Sequence, residues 1–380
     1  MEAFTFHNPT RVHFGVGTIA KLGEELAKGG HKNCIMIAGG GSIKKNGVYD
    51  QVIDSLNRNG ISFTEAWGVQ PNPSLAKVRE IVSIAKNTSV DAIIAVGGGS
   101  VIDTAKAVAA GVYLADPWDA FSKQEPISNA LPIYTVLTLS ATGSEMNGNS
   151  VISNTETLQK WGFYSPLVYP KVSIIDPAVQ SSLPFKQTAN GAMDAIAHIL
   201  EYYFADAKAL STLAIDEALH KTIVDMADRL RDHPADLVAR ANLAWSATLA
   251  LNGISGAGLK GGDWACHQIE HSFSALYPHI AHGEGLGVIY PAWIEYMSEK
   301  SPSAYLRWAQ KVWGTDSVSM ALRRFRDKIE SWGLAGSLRD LGIKESDLQK
   351  LKELIMISPR IGAVSKLSGT EIEALLMLAF

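Results

Sequence analysis

Four short runs in the first half of the chain are almost wholly apolar: Cys34 to Ala38, Ala92 to Val96, Ile133 to Val136 and Val172 to Ile175. Runs of this length without alternation predict strands covered on both faces, the pattern of a parallel sheet flanked by helices. The stretches between them carry helical patterns, as βαβ units do. From about Leu183 the period changes to 3.6 residues. Ile215, Leu219, Ile223, Met226 and Leu230 form one predicted helical stripe, and Val318, Leu322, Phe325, Ile329 and Trp332 form another. Pro184 suits a first helical turn, where its missing donor would go unpaired anyway. The change of period puts a boundary within residues 178–186 and predicts an α/β domain over 1–182 and an all-α domain over 183–380.

Composition narrows the classes. With 380 residues, 47% hydrophobic and 19% charged, the chain has ample material for packed cores and none of the bias of a disordered segment. Its 34 Lys and Arg against 38 Asp and Glu give a formal charge of −4, without the basic excess that nucleic-acid partners require. No apolar run approaches the roughly 20 residues of a membrane helix, and the opening MEAFTFHNPTR lacks the pattern of a secretory signal. A cytoplasmic protein is expected, in keeping with two cysteines, Cys34 and Cys266, too few for a disulfide framework.

Two of the predicted strands run into the same four residues, Gly39-Gly40-Gly41-Ser42 and Gly97-Gly98-Gly99-Ser100. Such loops let backbone N–H groups approach phosphate without side-chain obstruction, and the helix that follows adds the favourable end of its dipole. A dinucleotide could bridge the pair, which makes the first domain Rossmann-like. Asp103 and Lys106 fall on the first turns of the second loop's helix. Gly15-Val16-Gly17-Thr18-Ile19-Ala20 also fits G-x-G-x-x-A, but no strong strand precedes it, so it reads as a turn before a helix.

Four of the ten histidines, His267, His271, His279 and His282, lie within sixteen residues. On a helix His267 and His271 share a face and can chelate one ion. Asp194 and His198 repeat the four-residue spacing in a run otherwise rich in Ala, Ile and Met, where an unpaired carboxylate is costly. A shared divalent cation would neutralise Asp194 and give a carboxylate-plus-three-imidazole site suited to Fe(II) or Zn(II). His267-Gln268-Ile269-Glu270-His271 also fits H-x-x-E-H, the zinc peptidase pattern in which Glu is the base. That reading explains neither the glycine loops nor Asp194 and His198, and Glu270 is then expected to be a helix-surface carboxylate.

Taken together, these residues resemble the iron-containing, or group III, alcohol dehydrogenases of the dehydroquinate synthase-like superfamily. The markers are Asn8-Pro-Thr-Arg11 with Phe14-Gly15, Pro71-Asn-Pro73, Gly97 to Asp103, Thr138 to Glu145, Asp176-Pro177, Asp194-x-x-x-His198 and the histidine cluster. Gly39 to Lys45 and Gly262-Asp-Trp-Ala-Cys-His267 are similar to the branch of NADPH-dependent butanol dehydrogenases and broad-range aldehyde reductases. The resemblance implies a homodimer whose protomers carry a dinucleotide-binding domain, a helical metal-binding domain and a cleft between them. It implies Asp194, His198, His267 and His282 as metal ligands, with His279 as the competitor of His282, and His271 beside substrate and nicotinamide, where an imidazole is the best candidate to relay the proton to solvent. It also implies cofactor contacts at Gly98, Gly99, Ser100, Asp103, Thr138, Ser140, Thr142, Val151 and Lys160.

Nucleotide choice has a physical handle in the first loop. An acidic residue there would accept from a ribose hydroxyl and repel a 2′-phosphate; the chain instead has Gly40, Gly41 and Ser42 followed by Lys44 and Lys45, so NADP(H) is expected ahead of NAD(H). The expected reaction is hydride transfer between NADP(H) and short-chain alcohols or aldehydes such as butanol and butanal. A dehydroquinate synthase-like lyase or a polyol-phosphate dehydrogenase of the same superfamily is the alternative, and would need basic residues that the helical half does not visibly cluster. Trp264, Phe163 and Tyr164 are candidates to wall the pocket, but aromatic core packing is the expected reading for each.

Overall fold

A computed structural model describes residues 1–123, 125–357 and 360–380. Backbone contacts divide it into two units. One comprises His7–Leu183 with His233–Thr248, and the other Met1–Phe6 with Pro184–Asp232 and Leu249–Phe380.

The first unit holds a six-stranded parallel sheet. Its strands are β1 (Arg11–Phe14), β2 (Asn33–Ala38), β3 (Ser62–Ala66), β4 (Ala92–Gly97), β5 (Ile133–Leu137) and β8 (Val172–Ile175), in the order β1-β8-β5-β4-β2-β3. The four predicted runs are β2, β4, β5 and β8, the four inner strands. Within each, alternate residues serve opposite faces, as a period of two requires. Ile35, Ile37, Ile93, Ala95, Ile133 and Leu137 enter one core; Cys34, Met36, Ile94, Val96, Tyr134, Val136 and Ile174 enter the other. Both faces being covered, neither set of positions can be polar, and the sequence loses its alternation. Thr135 and Ser173 are the exceptions, and both are hydrogen-bonded, Thr135 Oγ1 donating to Ser173 Oγ at 2.8 Å and Ser173 Oγ to the Glu145 carbonyl at 2.6 Å.

The edge strands β1 and β3 have mixed, half-exposed sequences and lack the apolar signature. Because β1 precedes Gly15, that glycine segment does follow a strand, contrary to the expectation above. It still turns into helix, Gly17 taking φ 80° ahead of a 3₁₀ turn, Thr18–Lys21, and the helix Leu22–Lys28. An antiparallel hairpin of β6 (Asn149–Asn154) and β7 (Gln159–Tyr164) was also not anticipated. The helix Leu237–Ala250 gives this unit its late segment: Ala244 joins one of the two cores, and the Thr248 hydroxyl donates to Glu145 Oε1 at 2.6 Å. Glu145 is fully enclosed, and burial raises its pKa above the carboxylate range.

The second unit is helical. Its main elements are Phe185–Tyr203, Leu210–Asp232, Ala265–Leu276, His282–Ser298, Pro302–Lys311, Val318–Ser331, Leu348–Ile355 and Gly369–Ala379. The Val318–Ser331 stripe is buried at Leu322, Phe325 and Ile329. The stripe on Leu210–Asp232 is buried at Leu219, Ile223 and Leu230, but Ile215 is 37% exposed, and the enclosed face extends instead to Asp216 and His220. Among the described residues no helix is long and apolar enough to cross a membrane.

Candidate metal centre and nucleotide loops

Three helices of the helical unit build the centre. Asp194, His198 and Glu201 lie on one face of Phe185–Tyr203 at intervals of four and three residues. His267, Glu270 and His271 lie on Ala265–Leu276, and His282 is the first residue of His282–Ser298. What brings His282 in is the glycine after it. A Cβ on Gly283 would stand 2.0 Å from the Asn190 carbonyl oxygen, and one on Gly285 would stand 2.8 Å from Glu270 Cγ. Only glycine allows this helix to pack so closely against the other two.

Nitrogens from three imidazoles converge on one carboxylate oxygen. Asp194 Oδ1 is 3.8 Å from His198 Nδ1, 3.9 Å from His267 Nε2 and 3.6 Å from His282 Nε2. Donor atoms of Asp194, His267 and His282 all lie within 4.8 Å of one another, and the His198 ring stacks on His267 with centroids 4.7 Å apart. His198 Nδ1 and His267 Nε2 are buried with no hydrogen-bond partner, an arrangement that costs free energy unless a ligand completes it. Burial, assisted by the neighbouring imidazoles, holds the His198 pKa well below its ordinary value, which keeps its lone pair available. One carboxylate and three imidazoles suit Fe(II) or Zn(II), so the residues fit the expected ion.

The other histidines separate. His279 is exposed, its ring edge-on to Tyr277, and belongs to no ligand group among the described residues. His271 stands beside the centre, its ring 5.4 Å from that of His282, in a second cluster with Glu270 and His282.

Two carboxylates escaped the sequence reading. Glu201 Oε1 lies 2.8 Å from His267 Nδ1 and also accepts the His267 backbone N–H at 3.1 Å. Glu270 was expected on the helix surface; it is instead 0% exposed, hydrogen-bonded to His282 Nδ1 and to the Ser274 hydroxyl. So enclosed and engaged, it has no access to the water that a peptidase base must activate. Their sequence signal is faint but real, a Glu seven residues after Asp194 and another three after His267, both in apolar helix.

Trp264 flanks the site. It takes φ 63° at the start of Ala265–Leu276, a left-handed conformation uncommon for a bulky residue. Its ring is 5.3 Å from those of His267 and Tyr202 and 6.2 Å from that of His198. It is half-buried rather than core. Of the other two aromatics, Phe163 is buried in the sheet unit's core, whereas Tyr164 is exposed, contrary to expectation.

The sheet unit carries the loops. Gly41 takes φ 99° before the short helix that opens at Ser42, and a Cβ on Gly40 or Gly41 would meet no protein atom within 4 Å. The second loop is tighter. Gly98 caps the helix Gly99–Gly111, and a Cβ on Gly99 would be 2.4 Å from Thr142 Cγ2. Ser100 follows in its first turn. Asp103 Oδ1 accepts from the Ser144 hydroxyl at 2.5 Å and Oδ2 from the Val151 N–H at 3.0 Å, tying helix to hairpin. Thr142 Oγ1 accepts from the Ser144 N–H at 3.1 Å, Ser140 Oγ accepts from Gln180 at 2.9 Å, and the Thr138 N–H donates to the Gly97 carbonyl at 3.0 Å. Lys160 is buried and donates to Asn72 Oδ1 at 2.9 Å. Lys106, wholly enclosed, donates to Ser144, Asn147 and the Asn149 carbonyl, and burial brings its pKa down to about 8. Lys44 Nζ sits 4.2 Å over the Trp67 ring and 4.9 Å over that of Tyr49. An open first loop and a second that presents a helix N-terminus suit a dinucleotide's phosphates.

Comparison with known proteins agrees with both halves. Residues 9–177 match the iron-containing alcohol dehydrogenase family and residues 188–379 match the C-terminal domain of the Fe-containing alcohol dehydrogenase family. A probable NADH-dependent butanol dehydrogenase of Bacillus subtilis strain 168 is 39% identical over 389 residues, 99% of each chain. An NADPH-dependent aldehyde reductase of Escherichia coli strain K12 is 36% identical over 371 residues, 93% of this chain and 94% of that one. The crystal structure of an NADH-dependent butanol dehydrogenase A from Thermotoga maritima superposes with a TM-score of 0.98 at 49% identity, covering 100% of this chain and 99% of the other. With both domains matched along nearly their whole length and the four candidate donors drawn together around Asp194, the chain belongs to the iron-containing alcohol dehydrogenase family.

Proposed function

We propose that this alcohol dehydrogenase interconverts short-chain primary alcohols and aldehydes, butanol and butanal among them, with NADP(H) as its preferred nucleotide, as a homodimer in the cytoplasm. The observation that carries the reading is the convergence of three imidazoles on Asp194. When bound, a divalent ion supplies Lewis acidity to the carbonyl oxygen and a reduced nicotinamide supplies the hydride.

The chain's own residues do the rest. Asp194, His198, His267 and His282 would hold the ion, Asp194 supplying the single negative charge among four donors. Trp264 contributes an apolar wall beside them, suited to an alkyl chain. His271, partly exposed next to His282, is positioned to carry the proton between substrate oxygen and solvent. In the sheet unit, Gly40, Gly41 and Ser42 leave room for the adenosine end of the nucleotide, Gly98, Gly99 and Ser100 present backbone donors to its pyrophosphate, and Asp103, Thr138, Ser140, Thr142, Val151 and Lys160 surround the rest. The absence of an acid in the first loop, with Lys44 beyond it, favours a 2′-phosphate. The relatives named for NADH are the more identical, at 49% and 39% against 36% for the NADPH-named reductase, so the NADP(H) preference rests on the loop chemistry alone.

Anaerobic reconstitution with Fe(II) followed by oxidation of NADPH or NADH with butanal is the test. Butanal-dependent oxidation, faster with NADPH, is expected; no turnover with either nucleotide refutes the activity, and a strong NADH preference refutes the cofactor assignment. Light scattering of the eluting protein checks the dimer.

A further inference from the structure

We propose that Glu201 and Glu270 form a matched pair of positioning residues that dictate which nitrogen His267 and His282 turn toward Asp194, and thereby how tightly the centre holds its ion. The inference rests on the metal-centre reading above and extends it to two residues outside the four proposed ligands.

A neutral imidazole has one N–H and one lone pair, and an ionised carboxylate only accepts. Glu201 beside His267 Nδ1 therefore places the proton on that nitrogen and leaves the lone pair on Nε2. Glu270 does the same for His282. In both rings the freed Nε2 is the atom that faces Asp194 Oδ1, at 3.9 Å and 3.6 Å. Each carboxylate is further anchored, Glu201 by the His267 backbone N–H and Glu270 by the Ser274 hydroxyl. The anchoring comes from different helices: Glu201 reaches from the Asp194 helix to the His267 helix, and Glu270 from the His267 helix to the His282 helix. All three ligand-bearing helices are thus linked in series.

Burial makes this arrangement informative. Glu201 is 3% exposed, Glu270 0% and Asp194 3%, and three enclosed carboxylates in one neighbourhood are unfavourable unless positive charge balances them. Carboxylates behind metal-bound imidazoles raise ligand basicity and fix ring orientation, and their loss typically weakens metal binding about 10–100-fold.

The metal-free full-length protein is titrated with Co(II), followed by its visible absorption, alongside E201Q, E270Q, E201L and E270L, with thermal unfolding of each metal-free form. Each Gln variant is expected to unfold near the wild-type temperature, yet bind Co(II) about tenfold more weakly, because an amide oxygen accepts the same hydrogen bond without the charge. The Leu variants are expected to approach a 100-fold loss and an altered spectrum. Co(II) binding by the Gln variants with wild-type affinity and spectrum overturns the proposal, and does so even if the Leu variants fail to fold. Wild-type protein that binds no Co(II) overturns the metal centre itself, an outcome distinct from unchanged variants of a protein that does bind.

Discussion

Gly283 and Gly285 in the helical unit and Gly40 and Gly41 in the sheet unit all stand beside a candidate ligand site, and they lack side chains for opposite reasons. Those in the helical unit are pressed against protein, Gly283 onto the Asn190 carbonyl and Gly285 onto Glu270. Those in the first loop face space that no protein atom occupies within 4 Å of a Cβ. The candidate metal centre is therefore a product of packing: its proposed donors arrive on three helices, and whatever loosens the helices loosens the site. The nucleotide loop is a product of omission, and can be altered with little effect on the fold around it.

The sharpest way to break that contrast is to remove a donor. Asp194→Ala or His267→Ala is expected to empty the centre and lower kcat/KM by at least about 10²–10³-fold, the scale on which lost electrostatic stabilisation is felt. Metal analysis alongside the assay checks it, and full activity at full metal content would defeat the assignment.

Stability against pH should distinguish the units next. In the helical unit His220 packs against Trp308, Trp313 and Phe325, and burial alone pulls its pKa down to about 3. The unfolded chain takes up this proton from about pH 6.5 downward, so the native state loses stability as pH falls from there toward 3, by several kcal/mol. In the sheet unit the folded pKa of Lys106, about 8, also lies below its unfolded value of 10.5. Between those values the unfolded chain binds more protons, so this contribution rises with pH from 8 to 10.5. Chemical denaturation of His220→Leu and Lys106→Met across pH should flatten the acid and the alkaline slope respectively.

Alanine at the contrasting glycines is a smaller effect and a closer test. Gly283→Ala forces helix against backbone and is expected to cost about 1–3 kcal/mol, with metal affinity falling in step. Gly40→Ala should leave the unfolding free energy within about 0.5 kcal/mol of wild type while weakening NADPH binding in a fluorescence titration. Smallest of all is Lys44→Glu. Lys44 is exposed, so its reversal should shift the NADPH-over-NADH preference by no more than about 1 kcal/mol.

The legibility of the sequence followed the same division. The inner strands β2, β4, β5 and β8 were readable because two cores force every position to be apolar, while β1 and β3, with one neighbour each, and the β6–β7 hairpin carry too many polar residues to stand out. Asp194, His198 and His267 announced themselves by helical spacing and by a charge in an apolar run. His282 did not, since nothing in the spacing separates it from His279; its distinction is Gly283, whose meaning appears only when Asn190 is found against it. Glu270 was misread because a carboxylate on a helix is usually solvated. The partners that make its burial tolerable, His282 and Ser274, include one from another helix, which periodicity cannot reveal.

The enclosed Glu145 receives its hydroxyl partner from Thr248, more than a hundred positions later in the chain. A ribosome has therefore delivered the whole sheet and two long helices beyond it before the last piece of the first unit emerges. Cleaving the gene at the change of periodicity would yield a fragment with every strand but a missing wall, and its exposed socket at Glu145 and Ala244's vacated seat should make it sticky. A fragment meant to stand alone would need a tether carrying residues 233–248 back to it.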